Sequence, residues 1–273
     1  VPYTERTPRV AAARRLTRRA GRDRARAFLA EGPQAVREAV ALRPVAVREL
    51  FGTTAALARH PDIAAAARAA GVPVSAVTDQ AAAGLSETST PQGLVAVCRF
   101  VDQPLASALA LVPRLVVVLA AVGDPGNAGT VLRTADAAGA DTVVFSARSV
   151  DPYNGKAVRA SAGSVFHLPL VRGAGLADTV GAARAAGLAV LAADAAGDTD
   201  LDELAGVGQL ARRTVWLFGN EAHGLPEELT AQADARVRIS IHGRAESLNL
   251  AAAAAVCLYA SARAHRDQPR PEG

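Results

Sequence analysis

The sequence predicts an α/β fold in two parts: a small N-terminal α/β domain, and a C-terminal domain with a mostly parallel open sheet and helices on both faces. Three observations lead there. Continuous apolar runs such as "RLVVVLAAV" (114–122) read as strands buried on both faces. Helical segments separate these runs, several opening at a proline or closing at a glycine. A proline-bounded stretch, "VDQPLASALALVP", divides one alternating series from the next.

Taken in order, residues 9–27 read as a basic helix, "AFLAEG" as a short strand, and "PQAVREAVAL" as a helix with Pro33 in its first turn. "VAVRELF" and "VPVSAV" read as strands around the helix "TTAALARHPDIAAAARAAG", and "LVAVCRF" closes the series. In the second series, "RLVVVLAAV", "DTVVFS", "LAVLAAD", "RRTVWLFG" and "ARVRISI" read as strands. The helices are "AGTVLRTADAAGA", "GKAVRASAGS", "GLADTVGAARAAG" and the Ala-rich run from Ser247 to Ala264. The expected domains are therefore 1–102, with residues 1–8 disordered, and 114–264. A linker at 103–113 joins them, and a disordered tail spans 265–273.

Composition narrows the function. Half of the 273 residues are hydrophobic, and no apolar run reaches membrane-spanning length. The first apolar groups are interrupted by arginines, unlike a signal peptide, and a chain opening at Val1 without any Met suggests a removed initiator. Cys98 and Cys257 stand apart with no Cys or His at ligand spacing, which fits a reducing cytoplasm and no metal site. Residues 1–102 hold 15 arginines against nine acids, a net +6, whereas the remainder is −2. The arginines crowd into "RVAAARRLTRRAGRDRAR", so Arg14, Arg15, Arg18 and Arg19 are candidates for binding the phosphates of an anionic partner. A solvated helix face is the plainer account, but it explains the use of arginine better than the clustering.

Three segments end a strand in unusual polar residues, where open α/β sheets bind ligands. "GDPGNAGTVLRTA" offers Asn127 as a helix cap and Arg133 within the helix. "FGNEAHGL" offers Asn220 and Glu221. "ISIHGRAESLNLA" offers Ser247 and Asn249 at the opening of the last helix. Singly, each has an ordinary structural role, and Glu221 could pair with Arg212 or Arg213. Together, at three strand exits, they point to a site. "GVGQLA" (206–211) imitates a dinucleotide fingerprint but follows an acidic loop and precedes a strand, so it is a loop. No Walker, G-x-S-x-G or H-E-x-x-H pattern occurs, and His223 and His242 read as loop residues.

The segments "NAGTVLRTA", "LFGNEAHGL" and "SLNLAAAAA" resemble the three ordered motifs of SpoU-type (TrmH-type) RNA ribose 2′-O-methyltransferases of the SPOUT superfamily. "FLAEGPQAVREAV" and "LSETSTPQGLVAV" are similar to the ribosomal-protein-like substrate-binding domain of the two-domain members. "DPYNGKAVRASAGSVFHLP" is similar to the family's middle region. The resemblance covers about residues 9–264.

It implies a C-terminal trefoil knot, a homodimer completing each site across its interface, and S-adenosylmethionine as cofactor. Leu217, Gly219, Asn220, Ile239, Ile241, Ser247 and Leu248 are the cofactor-binding positions it implies. Asn127, Arg133, Glu221 and Asn249 are the catalytic ones. The implied substrate is RNA, 23S ribosomal RNA ahead of transfer RNA. Alternatives are a catalytically silent RNA-binding protein of the same fold and a nicotinamide-dependent oxidoreductase, the latter opposed by the missing fingerprint. A guanidinium stays charged, so Arg133 is expected to grip the RNA phosphate and stabilise a forming alkoxide, held by Glu221 and Asn127. Where the family usually reads Ile-Pro-Met, this chain has Ile239-Ser240-Ile241.

Overall fold

The computed structural model describes residues 1–266. Two compact units form: residues 1–101 with 151–167, and residues 102–150 with those from 168 onward. The expected boundaries need correcting in two places. Asp151–His167 belongs to the first unit, because the buried Asp151 carboxylate accepts from Arg22 Nε at 2.8 Å. Tyr153 also stacks on Phe100 at 4.2 Å and accepts a hydrogen bond from the Val101 N–H at 2.8 Å. Removing one partner of such a buried pair costs about 3–5 kcal/mol, so the segment is held firmly. The expected linker is part of the second unit, where the helix Leu105–Leu109 buries Ala108 and Leu109.

The first unit carries a four-stranded sheet of β1 (Ala27–Glu31), β2 (Val47–Thr53), β3 (Val74–Val77) and β4 (Leu94–Arg99) in the order β1-β4-β2-β3. β4 runs antiparallel to both neighbours, and β2 and β3 are parallel. Residues 1–8, expected to be disordered, are tied down: Tyr3 donates to Ala76 O at 2.8 Å and accepts from Thr78 N at 2.9 Å.

The expected basic helix is broken into Pro8–Arg14, a 3-10 turn Arg15–Thr17, and Arg19–Ala25. Arg18 is extended at the break, and the Arg22 guanidinium takes the Leu16 and Thr17 carbonyls that a continuous helix would use. The helix expected over 53–71 is likewise two, Thr54–Arg59 and Pro61–Ala69, split where Pro61 lacks a donor.

The second unit carries seven strands: β5 (Leu115–Leu119), β6 (Thr142–Ser146), β7 (Leu170–Ala174), β8 (Ala189–Ala193), β9 (Thr199–Asp200), β10 (Thr214–Phe218) and β11 (Ala235–Arg238). All pairs are parallel, in the order β7-β6-β5-β10-β8-β11-β9. Alternate residues face opposite layers. Val116, Val118, Val215 and Leu217 pack with the helices Leu105–Leu109, Leu176–Ala185 and Glu227–Thr230. On the other face, Trp216 donates its indole N–H to Ser261 Oγ of the terminal helix Leu250–Arg266 at 2.9 Å. His265 and Arg266, expected in the tail, complete that helix, and 267–273 lie outside the described residues. The chain visits β6 and β7 on one side of β5 and β8 to β11 on the other. The reversal leaves a crevice at the carboxyl ends of β5 and β10, where such sheets bind ligands.

Candidate functional site

β5 delivers the loop 120–124 and the helix Pro125–Ala137 to this crevice. The helix is capped by Asp124, whose Oδ1 accepts from Asn127 N at 2.7 Å. Asn127 is therefore not the cap, and its side chain is left to project from the third helical position. β10 delivers Gly219–Pro226, closed by paired bonds between Asn220 and Gly224: Asn220 N to Gly224 O at 2.9 Å and Gly224 N to Asn220 O at 2.8 Å. A Cβ on Gly219 would lie 2.3 Å from Gly224 C, so glycine is required by the loop's own backbone. β11 delivers residues 239–249, ending at Asn249. That residue, rather than Ser247, caps the terminal helix, Oδ1 accepting from Ala251 N at 2.9 Å.

Three predicted residues meet here. Glu221 Oε1 accepts from Asn127 Nδ2 at 3.1 Å and Asp124 N at 3.2 Å, and Oε2 from Gly123 N at 3.1 Å. Asn249 Nδ2 donates to Asn127 Oδ1 at 3.2 Å. Burial pushes the Glu221 carboxyl up, but the Asn127 amide and the N–H groups of Glu221, Gly123 and Asp124 outweigh it. The net effect holds it below the ordinary glutamate value. Arg212 and Arg213 take other partners, Gln209 and the carbonyls of Pro113 and Ala186. Asn220 also turns inward, donating to Ala121 O at 2.8 Å and accepting from Ala222 N and His223 N. Ala121, at φ 58°, is thus fixed in an unfavourable left-handed conformation from its carbonyl side, while its N–H donates to Ser146 Oγ at 2.9 Å.

Below this cluster opens a cleft of about 580 Å³, within the range of small-molecule sites. Its walls include Gly219, Asn220, Ile239, Ile241, Ser247 and Leu248, and the cluster of Asn127, Glu221 and Asn249 stands at its edge. Ile241 and Leu248 are each more than a third exposed, an apolar surface suited to a heterocycle.

Two of the predicted residues do not line the cleft. The Leu217 side chain lies in the core on the sheet's other face. Arg133 is exposed and does not line the cleft, and neither Glu221 nor Asn127 holds it. It follows Asn127 by six positions, about 240° round the helix, so it faces elsewhere. The sequence reading missed Asp194 and Glu246, which also line the cleft. Asp194 directly follows β8, and the strand-exit rule would have found it. Its carboxylate is fixed by Arg236 at 3.0 Å and the Ala196 N–H at 2.9 Å. Arg14, Arg15, Arg18 and Arg19 are all exposed in the first unit. Among the described residues, no group of three His, Cys, Asp or Glu is placed to hold a metal ion.

Known proteins share this fold. The family model for SpoU rRNA methylases matches residues 114–259, and that for the MRM3-like substrate-binding domain matches residues 7–96. The 23S rRNA (guanosine(2553)-2′-O)-methyltransferase RlmP of Bacillus subtilis is 34% identical over 238 residues, 87% of this chain and 89% of that one. An AdoMet-bound rRNA methyltransferase from Sinorhizobium meliloti superposes with a TM-score of 0.83 at 34% identity, covering 96% of this chain and 97% of that one. AviRb from Streptomyces viridochromogenes, in complex with AdoMet, gives 0.77 at 29% identity, covering 97% and 100%. From its first arginine-rich turn to its terminal helix, this chain belongs to the SpoU rRNA methylase family.

Proposed function

We propose that the protein transfers the methyl group of S-adenosylmethionine to a ribose 2′-oxygen of RNA, with 23S ribosomal RNA as substrate. The observation that carries this reading is the interlocked Asn127–Glu221–Asn249 cluster at the edge of a cleft of about 580 Å³ at the sheet's reversal point. The cofactor fits the lining. Ile239, Ile241 and Leu248 offer apolar faces, Ser247 and the 219–224 backbone offer hydrogen bonds, and Glu246 offers negative charge toward a cationic donor. The donor supplies a methyl group already activated by its sulfonium centre. The chain's own task is positioning, which can lower a barrier by about 7–11 kcal/mol. Asn127, locked by Glu221 and Asn249, presents a fixed amide edge to the sugar. Arg133 grips the neighbouring phosphate and stabilises the developing alkoxide, while the 2′ proton leaves to water or a phosphate oxygen.

Arg133 faces away from its own cleft, which supports a homodimer in which it serves the partner's. Exposed Val256 and Tyr259, on the terminal helix packed beside the Arg133 helix, supply apolar surface for that contact. We also assign the trefoil knot to the last strand and helix. The chain leaves β11 beyond β8 and returns along the cleft to Asn127 before entering the terminal helix. A ribosomal substrate places the enzyme in the cytoplasm, in keeping with two free, buried thiols. No helix among the described residues is long and apolar enough to cross a membrane.

Mapping 2′-O-methylation across total RNA from cells with and without the gene tests the assignment. One 23S position should lose its methyl group, and Arg133→Ala should fail to restore it while binding donor normally in calorimetry. Unchanged ribosomal RNA, or no heat on donor titration, would overturn it.

A further inference from the structure

The first unit has its own cavity of about 320 Å³, between the head of the helix Pro33–Leu42 and the loop 86–92. This loop is the "SETSTPQ" stretch, a motif that the methyl-transfer site does not use. Thr88, Thr90, Gln92 and Gln34 present hydroxyl and amide groups to the cavity, and Ala35 and Ala162 supply small apolar patches. Its charges are matched. Glu31, buried at the end of β1, accepts from Arg159 Nη1 at 3.2 Å, Ser86 Oγ at 2.5 Å and Thr88 Oγ1 at 3.3 Å. Thr90 and Gln92 have no protein hydrogen-bond partner among the described residues, so their donors and acceptors are left for a ligand. The Gln92 side chain also reaches the helix head: a Cβ on Gly32, at φ 92°, would lie 2.6 Å from Gln92 Oε1.

A phosphate would meet the Glu31 carboxylate here, with the Arg159 charge already engaged. An uncharged heterocycle with mixed donors and acceptors on its edge meets neither difficulty. The arginine-rich turn is the neighbour. A smaller hollow lined by Leu16, Thr17 and Leu85 shares Glu31 and Arg159 with this cavity, and the Arg14 side chain runs beside Gly84. The turn that carries the arginines, candidates for phosphate, thus borders the hollow next to a cavity lined for a base. That is the division of labour by which proteins read unstacked RNA.

We propose that this cavity receives one unstacked nucleobase of the RNA substrate, read by Thr90 and Gln92, while Arg14, Arg15, Arg18 and Arg19 hold the flanking phosphates. The inference rests on the RNA-methylating reading above but concerns a site of its own. The test is fluorescence anisotropy with labelled ribo-decamers rU10, rA10 and rC10, an abasic ribo-decamer of the same length, and a salt series for each. The wild type should bind at least one base-bearing decamer about tenfold more tightly than the abasic one. The double variant Thr90→Ala/Gln92→Ala should abolish that difference, with the salt slope and thermal melting unchanged. The double variant Arg14→Ala/Arg15→Ala should weaken every decamer alike and lower the salt slope by about one per arginine. Equal binding of abasic and base-bearing decamers, or a ratio that survives the Thr90/Gln92 change, overturns the inference. Donor calorimetry on the same samples keeps the two readings separate, because the methyl-transfer assignment fails on the donor and this one fails on the bases.

Discussion

Glu221 shows how one side chain sets the site. Its carboxylate receives three hydrogen bonds from the loop after β5 and the helix behind it, and its folded pKa lies below the ordinary value of 4.5. A depressed folded pKa gives stability that is complete above the unfolded value and is lost as pH falls through the folded one. In urea unfolding, wild type should therefore exceed Glu221→Gln by a constant margin of up to about 1 kcal/mol above pH ~5, shrinking as pH drops below ~4. A margin independent of pH would show that the charge is irrelevant. Asn220 acts on the same loop through its amide. Asn220→Ala should cost about 1–3 kcal/mol, read by thermal melting, because Ala121 O and two backbone N–H groups lose their partner. Residue types at this scale were legible in the sequence, but their directions were not. Asn220 and Glu221 use their side chains to tie loops together, and Asn127 yields the cap to Asp124, because strand-exit reasoning places a residue without orienting it.

At the scale of elements, Gly219 is the joint between β10 and the cleft. Gly219→Ala would press a methyl group against the Gly224–Leu225 backbone, which has no rotamer to yield. Overpacking of this kind costs about 1–3 kcal/mol. Donor affinity should fall at least about tenfold in calorimetry while circular dichroism stays native, and unchanged affinity would mean that the loop does not shape the cleft. The apolar strands β5, β6, β8 and β10 were readable because burial on both faces leaves uninterrupted Val, Leu and Ala runs. β7 was not, because Arg172 and Gly173 interrupt it at the sheet's edge. Nor was the helix Leu201–Gly206, whose acidic first turn resembles a loop until Asp200 is seen to cap it through Asp202 N at 2.8 Å. The transfer of Asp151–His167 to the first unit was also hidden. It depends on Arg22, 129 positions earlier, which the sequence shows only as one arginine among many.

At the scale of the whole molecule, the two units can be followed separately. Trp216 is the only tryptophan and lies in the second unit, so its fluorescence reports that unit alone. S-adenosylmethionine at a hundred times its Kd should stabilise the tryptophan-detected transition by about 2.7 kcal/mol. No shift would mean that the donor does not bind this unit. The proposed dimer is open to a direct check. Val256→Glu with Tyr259→Glu should convert a particle of twice 27.9 kDa into a monomer in sedimentation, abolishing methyl transfer but leaving donor binding near normal. A monomeric wild type would refute that arrangement.

The hydrogen bonds from Asn127 to Glu221 and from Asn249 to Asn127 span 94 and 122 positions of sequence. Contacts that remote, set on an all-parallel sheet, form only after long loops have closed, so chains of this kind gain their structure slowly. Diluted out of denaturant, the protein should show helix first and donor-binding heat last. The enzyme thus carries its own proofreading of assembly: a half-folded copy has no place to hold the methyl donor.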